Sequence, residues 1–241
     1  MGDKPLAARA QPDADQIRQL FDRIAPQYDQ LNQDLSFGLH RVWKQMAVRW
    51  SGAAAGMDCL DVCCGSGDLA LLLARQVGPT GHVTGADFAA QQLAIAAQRR
   101  PYLQDRLSWV EADALALPFE DGSFDAVTMA YGLRNLTDIP QGLSEVYRVL
   151  KPGAKAAILD FHTPTNPLVK QFQQWYLSQI VVPTAERFGL SEEYAYISPS
   201  VDRFPPGTEQ VALTKAAGFA QAVHYPLAGG LMGMLVASRA T

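Results

Sequence analysis

Apolar positions along this chain recur first at helical spacing and then at alternating strand and helix periods. After a polar lead, Ile17, Leu20, Phe21 and Ile24 mark one face of a short amphipathic helix that Pro26 ends. Turn and loop residues through Tyr28-Asp29-Gln30-Leu31-Asn32 and Ser36-Phe37-Gly38-Leu39 lead to a second helix carrying Val42, Trp43, Met46, Val48 and Trp50. Its aromatics suit either packing against a core or a lid over a ligand, with Tyr28 or His40 pointing inward. Ser51 to Gly56 is a small-residue linker. Residues 1–51 therefore read as an N-terminal helical cap and 52–241 as the main domain, within one structural unit.

From there the periods alternate. Strands are expected at Asp58–Val62, His82–Asp87, Leu107–Glu111, Phe124–Ala130 and Lys155–Phe161. Helices are expected at Asp68–Gln76, Ala89–Arg99 and Asp138–Leu150, with Lys151-Pro152-Gly153 as a turn. Leu168 to Val182 and Thr208 to Ala217 read as further helices, and Phe219–Pro226 with Leu231–Ser238 as a closing pair of strands. Alternating β and α means an α/β fold, a parallel sheet with helices on both faces.

Composition narrows the class. The chain has 241 residues, enough for one large domain with a substantial core, and 48% apolar with 18% charged residues argues against disorder. A net charge of -4 gives no general affinity for nucleic acid. Cys59, Cys63 and Cys64 crowd one strand end, where mutual bridging is sterically awkward, so a reducing cytoplasm is expected. With only four histidines elsewhere, no zinc set is indicated and no metal is expected. No run approaches the roughly 18 apolar residues of a bilayer span.

Ligands in open α/β sheets bind at the carboxyl ends of the strands. There the sequence places Cys64 to Asp68, Asp87 with Phe88, Asp113 with Ala114, Tyr131 to Asn135, and Asp160 to Thr163. Leu60-Asp61-Val62-Cys63-Cys64-Gly65-Ser66-Gly67-Asp68 reads as a strand end, a glycine turn and a helix start. Backbone N–H groups and the positive helix end face a ligand at such a turn. Asp87, some 20 residues on, stands where a ribose-binding acid belongs. The third glycine of the dinucleotide fingerprint is absent, and no Lys-Ser or Lys-Thr pair follows, which disfavours a pyrophosphate. A nucleoside with an amino-acid tail fits better. Asp113 could accept from an exocyclic adenine amine or simply cap its own turn.

These residues resemble the class I methyltransferases that use S-adenosylmethionine. Four segments tighten the likeness: Tyr28 to Asn32, Ser36 to Lys44, Tyr131-Gly132-Leu133-Arg134-Asn135-Leu136-Thr137-Asp138, and Arg148-Val149-Leu150-Lys151-Pro152-Gly153. Together they look like the signatures of the quinone-biosynthesis C-methyltransferases, the UbiE/MenG/COQ5 group. The final third, with Ala195-Tyr196-Ile197-Ser198-Pro199-Ser200 and His224-Tyr225-Pro226, is most similar to the cyanobacterial branch, which methylates 2-phytyl-1,4-naphthoquinol.

The resemblance implies a Rossmann-like, mostly parallel seven-stranded sheet with an antiparallel closing strand and an N-terminal helical cap. It implies S-adenosylmethionine as cofactor, held by Asp61, Gly65, Ser66, Gly67, Asp87, Phe88, Asp113, Ala114 and Ala130. At Ala130 some members carry serine, so only backbone can serve here. Asp160 stands where glutamate is frequent, and Ala154 where glycine is. Arg134, Asn135 and Tyr28 are the implied catalytic residues, with His40, His162 and Tyr196 as alternative proton handlers. Arginine's high pKa assigns Arg134 to charge stabilisation, unless a salt bridge to Asp138 occupies it. The implied partner is a phytylated or prenylated naphthoquinol. A demethylmenaquinol or ubiquinone precursor competes, and a nicotinamide oxidoreductase or a non-catalytic cofactor binder would share the fold. A membrane-soluble substrate requires an apolar entry, expected at Leu168–Val182 and Phe204-Pro205-Pro206, and peripheral contact with a membrane; oligomeric state stays open.

Overall fold

The computed structural model describes residues 13–25, 33, 35, 36, 38–99, 103, 105–190 and 194–241. Pro26, Tyr28 to Asn32 and Phe37 lie outside them. Helix α1 (Ala14–Ile24) starts at Asp13, whose side chain accepts from the Gln16 N–H at 3.0 Å and satisfies one free donor of the first turn. It buries Ile17 and Ile24. Helix α2 (Leu39–Trp50) buries His40, Lys44, Ala47 and Val48, one stripe at helical spacing.

Seven strands follow: β1 (Asp58–Val62), β2 (His82–Asp87), β3 (Leu107–Glu111), β4 (Phe124–Ala130), β5 (Leu150–Phe161), β6 (Gln221–Leu227) and β7 (Met232–Ser238). Their order is β3-β2-β1-β4-β5-β7-β6, and β7 alone runs against the others. Strand direction of growth reverses between β1 and β4, which opens the crevice where such sheets take ligands. Crossover helices are α3 (Asp68–Val77), α4 (Ala90–Arg99) and α5 (Ile139–Val149).

Period-two alternation divides the core. Leu60, Val62, Val127, Met129 and Ile158 pack on one face with Leu143 and Val146 of α5. Cys59, Ala126, Ala157 and Leu159 pack on the other with Ala47 and Val48 of α2 and Leu69, Leu73 and Val77 of α3. Cap helix α2 thus belongs to the sheet's own core.

Between β5 and β6 lie α6 (Pro167–Tyr176), a π-helical stretch (Leu177–Val181), α7 (Val182–Glu186), α8 (Ile197–Arg203) and α9 (Gly207–Ala216). The single helix expected over 168–182 is therefore interrupted. Pro183 has no N–H to give the preceding turn, and the widened register brings both Leu177 and Val181 inward. These two, with Ala185, Leu190 and Tyr194, form a third cluster with Ile24 of α1. The other departure is at Lys151-Pro152-Gly153, read as a turn before the strand. β5 begins at Leu150, which pairs with Phe124, and pairing resumes at Lys155 with Ala126, so the intervening residues are an insertion within the ladder.

Candidate active site

Two adjoining cavities open at the carboxyl ends of β1, β2 and β4. The first is bordered by eight of the nine expected cofactor residues: Asp61, Gly65, Ser66, Asp87, Phe88, Asp113, Ala114 and Ala130. Gly67 stands behind its wall as the residue before α3, with φ of 85°, and a Cβ there would lie 2.5 Å from the Trp109 ring. Glycine is required at 67 by packing as well as by the turn.

Asp87 ties the turn to β2: its Oδ2 accepts from the Gly65 N–H at 2.8 Å and its Oδ1 from the Ala89 N–H at 2.9 Å. With Phe88 as a further backbone donor, the carboxylate still has acceptor capacity for a hydroxyl. Burial raises this carboxyl's pKa, and the backbone bonds from Ala89 and Gly65 oppose that rise. Asp61 is fully buried; its Oδ1 accepts from Thr128 Oγ1 at 2.8 Å. Burial pushes its pKa up to about 7 against the pull of Thr128 and Lys44. Ser66 Oγ accepts from Arg99 Nη1 at 3.1 Å, and Arg99 also pairs with Asp68 at 2.6 Å. Asp68 meets Lys44 of α2 at 3.0 Å as well. Burial raises the Asp68 pKa, but Lys44 and Arg99 outweigh it and hold the group below the usual range. Asp113 Oδ1 caps the Leu115 N–H at 2.9 Å, and the residue borders the cavity.

Three buried acceptors on this wall have no hydrogen-bond partner among the described residues: Asp61 Oδ2, Gln92 Oε1 and Asn135 Oδ1. Buried acceptors call for donors. S-adenosylmethionine brings an ammonium group, two ribose hydroxyls and an adenine amine, so the residues present fit it.

The second cavity, about 140 Å³, is lined by apolar and aromatic side chains including Trp43, Phe161, Tyr176 and Leu177, with Arg134 as its cationic group. Phe21 and Tyr131 border both cavities. Arg134 Nη1 meets Asp160 Oδ1 at 2.6 Å and the Tyr131 carbonyl at 2.8 Å, and the guanidinium lies 5.0 Å from the Phe161 ring centroid. Its ion-pair partner is Asp160, in place of Asp138, whose side chain instead caps α5 by accepting from the Gln141 N–H at 3.0 Å. Asn135 Nδ2 donates to the same Tyr131 carbonyl at 3.0 Å but borders the cofactor cavity, so Arg134 and Asn135 face opposite sides of one peptide. Tyr131 has φ of 63° and Cys63 φ of 54°. Left-handed backbone at such residues costs about 1–3 kcal/mol each and clusters at functional sites.

Of the other proton-handling candidates, His40 borders the second cavity with Nδ1 2.7 Å from Ser36 Oγ. Tyr196 borders it too, with its hydroxyl bonded to Arg203. His162 borders neither and packs against His224, ring centroids 4.9 Å apart. Tyr28 lies outside the described residues.

A family model described as the ubiE/COQ5 methyltransferase family matches residues 9–239. The chain belongs to this family. It is an S-adenosylmethionine-dependent methyltransferase. Among relatives, it is 62% identical over 225 residues to a 2-phytyl-1,4-naphtoquinone methyltransferase of Nostoc sp., covering 92% of this chain and 98% of that one. It is 57% identical to the Synechocystis sp. protein of that name, over 95% and 97% of the two chains. A chloroplastic 2-phytyl-1,4-beta-naphthoquinone methyltransferase of Arabidopsis thaliana is 50% identical over 92% and 87%. In fold the methyltransferase is similar to an S-adenosylmethionine-dependent methyltransferase structure from Methanococcus maripaludis, TM-score 0.62 at 20% identity, covering 92% and 94%. It is equally similar to the [4+2]-cyclase SpnF, TM-score 0.64 at 18% identity, covering 97% and 99%. At such identities the likeness establishes architecture alone, since one scaffold hosts different reactions.

Lys44 and Gln92 were not singled out as ligand-facing by sequence reasoning. The available signal was a polar residue on an inward helical stripe: Lys44 shares its face with His40, Ala47 and Val48, and Gln92 shares one with Leu93 and Ala96.

Proposed function

We propose that this methyltransferase moves the methyl group of S-adenosylmethionine onto the ring carbon of 2-phytyl-1,4-naphthoquinol, the step that completes phylloquinone. The observation that carries the reading is the shared wall: a nucleoside cavity and an aromatic cavity meet at Phe21 and Tyr131, with one buried cation, Arg134, on the aromatic side. The relatives named for 2-phytyl-1,4-naphthoquinone support the choice of ring and tail.

When bound, S-adenosylmethionine supplies a methyl group on a positively charged sulfur. The chain's part is to place an acceptor carbon against it and to make that carbon nucleophilic. A quinone ring is electron-poor, whereas a quinol that loses a hydroxyl proton pushes charge onto the adjacent carbon. Arg134, pinned by Asp160 and the Tyr131 carbonyl, is assigned to stabilise that phenolate. Asn135, held by the same carbonyl, positions the donor side. Tyr28 is assigned to the proton taken from the hydroxyl. As the ring regains aromaticity the hydrogen on the methylated carbon leaves as a proton and the oxygen recovers the one it gave up, so one proton is released per turnover.

The phytyl chain needs an apolar exit. The inner side of α6 and the π-helical stretch lines the aromatic cavity through Gln173, Tyr176 and Leu177, while the outer side of α6 exposes Leu168, Phe172 and Trp175 beside Lys170. We assign this outer side to peripheral contact with a bilayer, where Trp, Phe and a cation suit the interface.

The test offers reduced phytyl-naphthoquinol, polyprenyl-naphthoquinol and a ubiquinone precursor in parallel under excess cofactor. Preferred turnover of the phytyl substrate is expected. Preference for either of the other two assigns the chain to that acceptor instead.

A further inference from the structure

Gln92 stands in the first turn of α4 with 1% of its surface exposed. Its two amide atoms do different things. Nε2 donates to the Phe21 carbonyl of α1 at 3.1 Å. Oε1 is buried, has no hydrogen-bond partner among the described residues, and belongs to a residue that borders the cofactor cavity. The bond to a carbonyl fixes the amide's orientation, because a flipped amide would set oxygen against oxygen. A Cβ built on Gly65 would lie 3.7 Å from Oε1, so this oxygen sits beside the turn that Gly65 N–H ties to Asp87.

We propose that Gln92 is a cofactor-binding residue: Oε1 accepts from a ribose hydroxyl of S-adenosylmethionine while Nε2 holds α1, which couples cofactor occupancy to the seating of α1. Ala14, Ile17 and Phe21 place α1 along one side of the same cavity. Two more ties run between α1 and the start of α4. Asp22 Oδ1 accepts from the Gln91 N–H at 3.2 Å, and the Arg18 guanidinium lies 5.6 Å from the Phe88 ring centroid. A donor seated against Gln92 therefore stiffens the side chain on which α1 is hung, and α1 in turn carries Phe21, a wall of the acceptor cavity. The inference rests on the methyl donor and is independent of which quinol is methylated.

Calorimetric titration of S-adenosylmethionine, with hydrogen exchange of residues 14–24 before and after saturation, tests it. In the wild-type chain saturation slows exchange in α1. Gln92→Leu weakens binding about five- to tenfold, as expected for one lost hydrogen bond to a neutral acceptor, and abolishes the slowing. The weakening disappears when the ligand is whichever of the 2′-deoxy or 3′-deoxy analogues lacks the bonded hydroxyl. Equal weakening toward both analogues and the parent, or wild-type exchange in α1 indifferent to the ligand, would overturn the proposal. Gln92→Met, which keeps the side chain's length, replaces leucine if that variant fails to fold. A wild-type chain that bound no S-adenosylmethionine would overturn the cofactor assignment itself, a separate result.

Discussion

Arg134 and Asp160 are both nearly buried, with side-chain exposures of 7% and 4%. Removing one leaves the other charge uncompensated, which typically costs about 3–5 kcal/mol. Arg134→Ala is therefore expected to lose stability as well as turnover, and Arg134→Lys is the cleaner kinetic probe. Lysine keeps a positive charge beside Asp160 but lacks the guanidinium plane, whose Nη1 bonds both Asp160 and the Tyr131 carbonyl and which lies against the Phe161 ring. Turnover about a hundredfold lower with cofactor affinity near normal is expected, measured by steady-state kinetics alongside calorimetry; wild-type turnover would remove Arg134 from the mechanism.

Asp61 carries a second residue-scale expectation. Its folded pKa of about 7 lies above the ordinary value of 3.8. Between those values the folded chain binds more protons than the unfolded one, so this group's contribution to stability falls as pH rises through that window. An ammonium group brought beside the carboxylate reverses the balance and expels the proton. Cofactor binding near pH 6 to 7 should then release protons, seen as a binding enthalpy that depends on buffer ionisation enthalpy. Asp61→Asn should lose that dependence.

At the scale of elements, the strand-end acids and the glycine turn were legible because their chemistry is local: a turn after a strand, an acid after the next. The parallel sheet with helices on both faces followed from alternating periods, whereas the order of its strands did not. The third hydrophobic cluster was not legible, because it joins Ile24 with Leu177, Val181 and Tyr194, residues more than 150 positions apart whose meeting no local period encodes. Arg134's partner was missed for the same reason, since Asp138 is near in sequence and Asp160 near in space. We propose that residues 1–51 cap a single unit with 52–241, because α2 gives Ala47 and Val48 to the sheet's core. On the outer side of α6, replacing Phe172 and Trp175 together with serine is expected to reduce flotation with anionic vesicles several-fold while sparing turnover of a short-tailed, water-soluble quinol. Unchanged flotation would remove that surface from the account.

For the whole molecule, acid tolerance is set partly where the last strands close against β5. His224 of β6 is held at about 4 by burial first and by His162 second. A histidine depressed in the fold stabilises above its unfolded value of about 6.5, and that contribution is lost as pH falls toward 4. Thermal midpoints should drop across this range in the wild-type chain and less steeply in His224→Gln. Asp61 acts with opposite sign but cancels when the two chains are compared at each pH.

The two cavities meet at Phe21 and Tyr131, beside the β1–β4 switch point, and the chemistry proposed there needs a reduced ring. The most direct test incubates the chain with methyl-labelled S-adenosylmethionine and 2-phytyl-1,4-naphthoquinone with and without a chemical reductant, and locates the label in the product. Label on the ring carbon adjacent to the phytyl-bearing carbon, formed only when the ring is reduced, is the result expected. Label on oxygen, or equal transfer to the oxidised quinone, would contradict the account.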